Sequence, residues 1–96
     1  MLIKNVKTQL EYNDLKTKKL VSNDTGNIIL IALEKGATLA SHVSSTDASI
    51  LVLEGNITFE INGEIHEMEA NDLYAFKKDE VHEIQAHDDS KVLLIK

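Results

Sequence analysis

The feature that most constrains this chain is how its apolar residues are distributed. They come in short runs, each closed by turn residues, and no run holds a helical period for long. Residues 27–33 are apolar and β-branched on both faces, behind the turn signal Asn23-Asp24-Thr25-Gly26. Residues 57–61 alternate strictly, Ile57-Thr58-Phe59-Glu60-Ile61, which places Ile57, Phe59 and Ile61 on one buried face. Asn62-Gly63 follows directly, and both residues tolerate the positive φ of a two-residue hairpin turn. Further strands read at 38–43, 49–53, 65–68, 73–76, 81–86 and 91–96, with an edge strand at 18–22 whose lysines discourage pairing with another chain. Residues 2–16 are open between a helical turn or two, from the spacing of Val6 and Leu10, and an irregular arm. Eight or nine short strands at hairpin spacing, with no crossover helix, make an all-β antiparallel sandwich or barrel. The expected organisation is one domain over 1–96, an N-terminal arm at 1–17 and a barrel at 18–96.

Composition narrows the partners. The 96 residues carry 43% hydrophobic residues, enough for one core and too many for a disordered chain. There is no cysteine, so disulfides, thiolate metal sites and a cysteine nucleophile are excluded. The net charge is −6 and every basic residue is a lysine, so the clustered positive charge and arginine forks that hold nucleic acid are missing. The longest apolar run, 28–33, is far too short to span a membrane, and Lys4 interrupts the start as a signal peptide would not allow. These features lead us to expect a soluble cytoplasmic protein, without nucleic-acid or membrane partners. A strand apolar on both faces also exceeds what a small barrel covers by itself, which predicts a homodimer.

Two segments carry a family resemblance. Residues 36–55, Gly-Ala-Thr-Leu-Ala-Ser-His-Val-Ser-Ser-Thr-Asp-Ala-Ser-Ile-Leu-Val-Leu-Glu-Gly, resemble the first motif of the cupins, a glycine, five residues, His-x-His, a glutamate and a second glycine. Asn71-Asp72 through His82 resemble the second motif with its spacing kept, and the Asn62-Gly63 hairpin falls between the two. The resemblance covers roughly residues 27–96 and implies a double-stranded β-helix, the cupin jelly-roll barrel. In metal-binding cupins the ligands are both histidines and the glutamate of the first motif and the histidine of the second. Here His42 and His82 hold two of those places, Ser44 stands for the second histidine and Ala48 for the glutamate, while Lys77 and Asp79 replace the proline and glycine before His82. His-x-Ser followed by Asp-Ala is similar to a group of very short bacterial cupins without an assigned reaction.

The resemblance therefore implies a ligand pocket at His42, Ser44, Ala48 and His82, with His42 and His82 as candidate ligands for a divalent transition metal such as Zn, Fe, Ni, Mn or Cu. Two imidazoles fall short of the three or more protein ligands such ions prefer. The alternative is a pair of histidines bonded to each other, to a carbonyl or to water. His42 and Ser44, two apart, would share a strand face, and Asp47 is the nearest carboxylate in sequence. His66 shares its face with Met68 and reads as a buried or interfacial histidine, and His87, beside Asp88 and Asp89, as a solvated loop residue. Tyr74 and Phe76 read as packing, and residues 77–80 as a charged turn. No nucleophile elbow, phosphate loop or dinucleotide fingerprint is present. Two functions remain, a small-molecule-binding barrel and a metal-dependent dioxygenase or isomerase; a regulator's sensor domain lacks its helix-turn-helix.

Overall fold

The computed structural model describes residues 1–96. A 3₁₀ turn at Val6–Gln9 precedes nine strands, β1 Leu15–Asn23, β2 Gly26–Leu33, β3 Thr38–His42, β4 Ala48–Glu54, β5 Asn56–Ile61, β6 Glu64–Glu69, β7 Leu73–Phe76, β8 His82–Ala86 and β9 Ser90–Ile95. They form a five-stranded sheet, β1-β2-β9-β4-β7, and a four-stranded sheet, β3-β8-β5-β6, with every pairing antiparallel. This is the jelly-roll barrel that the sequence implies. The core lies between the sheets, where Ile31 and Leu33, Ile50 and Val52, Ile57, Phe59 and Ile61, Ile84, and Val92 and Leu94 interdigitate. Phe59 is fully buried, with Tyr74 and Phe76 ring centroids 5.3 and 5.5 Å away. The turn at Asn62 and Gly63 has φ of 49° and 81°, as the sequence predicts.

Three expectations are corrected. The first strand begins at Leu15, not at residue 18, and pairs with β2 along nearly its whole length. His42 and Ser44 do not share a strand, because β3 ends at His42. The apolar outer side of β2 is not left bare. Leu30 and Ala32 alternate with Ile31 and Leu33 and stand outside the core cluster, yet both are fully buried, on the side of the sheet that the N-terminal arm reaches through Lys91. Lys91, the cross-strand neighbour of Ala32, fastens the arm. Its ammonium donates to the Lys7 carbonyl at 2.5 Å and sits 4.8 Å from the Tyr12 ring centroid. The Tyr12 hydroxyl donates to Glu54 at 2.5 Å, and burial followed by that carboxylate raises its pKa. A helical turn pattern in the arm thus becomes a strap across one sheet.

Gly55 closes the β4–β5 turn at φ 85°, and a Cβ there would overlap Ser90 Oγ and the Asp89 carbonyl. Gly55→Ala combines a left-handed backbone with that overlap, so urea unfolding should show a loss of about 2–3 kcal/mol.

Candidate functional site

The first strand of the smaller sheet bends just before its functional residue. Leu39 pairs with Ile84 and His42 with His82, so three steps on β3 match two on β8. Leu39 points at the core. In an unbroken pleat, a residue three further along would face outward; the bulge returns His42 to the inner side. His82, the first residue of β8, is 3% exposed, while His42 is half-buried and reaches solvent at the mouth.

The two imidazoles meet with Nε2 atoms 3.0 Å apart and ring centroids at 4.1 Å, edge to face. Their other nitrogens are both committed. His42 Nδ1 lies 2.9 Å from the Ala40 carbonyl and His82 Nδ1 2.9 Å from the Glu80 carbonyl. A carbonyl only accepts, so each Nδ1 carries a hydrogen and each Nε2 presents a lone pair to the other. Two lone pairs at that distance repel; one proton between them turns the contact into a charge-assisted hydrogen bond. Burial first, and the neighbouring His42, hold His82 below its ordinary pKa, outweighing the Glu80 carbonyl that favours its charged form. The pair therefore presents two facing acceptors in a setting that disfavours charge on His82.

The remaining residues implied by the resemblance do not complete a metal site. Ser44 is buried, but its Oγ accepts from Thr46 N at 3.3 Å. Ala48 offers no donor, and its cross-strand partner Phe76 packs 4.7 Å from the His82 ring centroid. Asp47 turns away, accepting from Lys78 N at 3.0 Å with Lys77 Nζ at 3.6 Å. That backbone N–H, then Lys77, lowers its pKa. No group of three or more His, Asp or Glu is placed to hold an ion. The four-ligand centre of metal-binding cupins does not fit these residues; two nitrogens are what the chain supplies.

Asp47 and Ser44 instead join the two loops of the mouth, since the Ser44 carbonyl also accepts from Asp79 N. A second tie escapes a reading by motif. Asn62 Oδ1 accepts from Val81 N at 3.2 Å, its Nδ2 donates to Glu80 Oε2 at 2.6 Å, and the Glu80 carbonyl holds His82. The hairpin residue thus braces the histidine-bearing loop, and only its turn propensity is visible in sequence. A cavity of about 220 Å³ lies beside it, with Ser41, Glu60, Asn62 and His82 among its walls.

The other histidines are separate from the pair. His66 faces inward beside Met68 and lies 4.7 Å from the Tyr74 ring centroid. Its Nε2 is buried without a hydrogen bond, although Glu64 Oε2 is 3.4 Å away. His87 is less free than its polar turn suggests, since its Nε2 contacts Thr58 Oγ1 at 2.5 Å and Glu67 at 3.4 Å outside the barrel.

Comparison with known proteins follows the same lines. The family described as "Cupin domain" matches residues 29–95. An RmlC-like cupin protein from Desulfovibrio desulfuricans superposes with a TM-score of 0.90 at 19% identity, covering 99% of this chain and 94% of that one. A cupin superfamily protein from Desulfitobacterium hafniense gives 0.87 at 18% identity, covering 93% and 84%. KdgF from Halomonas sp. gives 0.79 at 18% identity, covering 92% and 86%. At these identities the likeness concerns the fold alone. No curated protein matches the chain. No helix is long and apolar enough to cross a membrane.

Proposed function

The chain belongs to the cupin domain family, and from that premise we propose that it is a small-molecule-binding barrel of the cytoplasm whose recognition element is the His42–His82 pair. The observation that carries this reading is the commitment of both Nδ1 atoms to carbonyls, which makes the facing Nε2 atoms one proton-sharing unit. A proton taken up with the ligand and shared by the two Nε2 atoms would suit a small organic anion, because its carboxylate would meet that charge while an apolar body meets the Phe59 and Phe76 rings.

Protein purified without a histidine tag should contain metal well below one equivalent by elemental analysis. Benzoate should shift the ¹⁵N imidazole resonances of His42 and His82 while benzamide, of the same shape without the charge, should leave them in place. Stoichiometric metal would instead support a metal-dependent enzyme, and equal responses to benzoate and benzamide would remove the anion reading.

A further inference from the structure

The facing of His42 and His82 is an arrangement that has to be held in place. Each Nδ1 hydrogen is committed to a carbonyl, so the Nε2 atoms meet at 3.0 Å as two acceptors. Lone pairs at that distance repel, and a ring free to move its hydrogen to Nε2 would donate to its neighbour instead. The observed tautomer persists only where the carbonyl that takes the Nδ1 hydrogen is itself fixed. For His82 that carbonyl belongs to Glu80, in a turn that Asn62 ties through both ends of its amide. For His42 it belongs to Ala40, which lies in the bulge of β3, where the ladder to β8 lapses.

Ala40 and Ser41 together stand against one residue of β8, Glu83. The Ala40 carbonyl accepts from the imidazole, and Ser41 Oγ donates to Glu83 Oε2 at 3.1 Å. Stability alone does not explain a glutamate at that position. It lies directly opposite Glu60 of β5, where like charges are unfavourable, and neither carboxylate pairs with a cation. Hydrogen bonding to Glu83, and then its charge, raises the Glu60 pKa. We propose that Ser41 and Glu83 form a latch that pins the bulge to β8 and thereby sets the tautomer and the aim of His42, with Ser41 as the positioning residue. Ser41 precedes His42 in the chain and Glu83 follows His82, both on the outside of the smaller sheet, so the latch works from behind the pair without touching a ligand. Its effect on binding rests on the function proposed above, whereas its effect on the imidazole does not.

In ¹⁵N-labelled full chain at pH 8, above the ordinary histidine pKa of about 6.5, long-range proton–nitrogen correlation separates ring nitrogens that carry a hydrogen from those that do not. The wild type should show His42 and His82 both protonated at Nδ1. Ser41→Ala should let His42 exchange its hydrogen between its two nitrogens, while His82, held by the braced turn, keeps its pattern. Glu83→Ala should do the same. Ser41→Thr keeps the hydroxyl and should restore the wild-type pattern. Position 41 is exposed, so both substitutions there should move the melting temperature by less than about 4 °C. Benzoate affinity should fall about fivefold in Ser41→Ala, the net worth of one hydrogen bond, and return in Ser41→Thr. A His42 pattern unchanged by Ser41→Ala, or not restored by Ser41→Thr, would overturn the inference, as would a wild-type His42 that carries its hydrogen on Nε2. Should the wild type take up no benzoate, the anion reading falls, and the tautomer pattern alone decides for or against the latch.

Discussion

Phe59→Ala should cost about 3–5 kcal/mol of folding stability, the range for deleting a large aromatic from a packed interior. A domain of this size has only about 5–15 kcal/mol in total, so the variant should melt lower by more than about 12 °C. Phe59 is placed to have that effect. It is fully buried on β5, between Ile57 and Ile61, and its ring meets Tyr74 and Phe76 of the facing sheet. No neighbouring strand can collapse into the space, because β5 is held by β6 on one side and β8 on the other. The ring centroid is also 5.8 Å from that of His82, so the same truncation removes one wall of the histidine pair. Ile57→Val, on the same inward face, should cost only about 0.5–1.5 kcal/mol and leave the pair intact. Equal losses for the two variants in urea unfolding would mean that Phe59 is not the centre of the core.

How much of this was readable from the chain depends on whether a feature is local. The alternation of residues 57–61 and the Asn62-Gly63 turn are local patterns, and the strands and the turn lie where they indicate. Motif spacing likewise brings His42 and His82 to adjacent positions on neighbouring strands. Three features depend on tertiary placement and leave no pattern. The bulge before His42 looks like ordinary strand sequence, although it decides which way the imidazole points. The direction of Asp47 is set by an amide contributed from Lys78, thirty-one residues away. The tie from Lys91 to the Lys7 carbonyl joins residues far apart in the chain, and nothing near residue 7 announces it. Hydrophobicity on both faces of β2 was informative all the same. It indicates that both faces of the strand need cover, and Leu30 and Ala32 on one face are as buried as Ile31 and Leu33 on the other.

His82 should give the fold a pH dependence, and its direction follows from the surroundings of the imidazole. His82 is depressed in the folded chain by burial and by its neighbour. The unfolded chain, with an ordinary histidine pKa of about 6.5, therefore binds more protons than the native state just below that value. Stability contributed by His82 is fully present above about pH 6.5 and declines as pH falls through the window between the unfolded and the depressed native value. His82→Ala should flatten that slope, and His87→Ala should not. Electrophiles other than the proton meet the same two lone pairs. Added Zn²⁺ or Ni²⁺ would find two nitrogens and no third protein ligand, so binding should be weak and should fade as pH drops through about 6, where protons hold the shared position. His42→Ala and His82→Ala should each abolish that binding, because one imidazole alone leaves a single ligand, while His66→Ala and His87→Ala should preserve it. Calorimetric titration of the four variants separates the cases: metal retained after loss of both His42 and His82 would place the metal-binding nitrogens elsewhere. Tight binding by the wild type at pH 5 would mean that the two Nε2 atoms are not proton-linked at all.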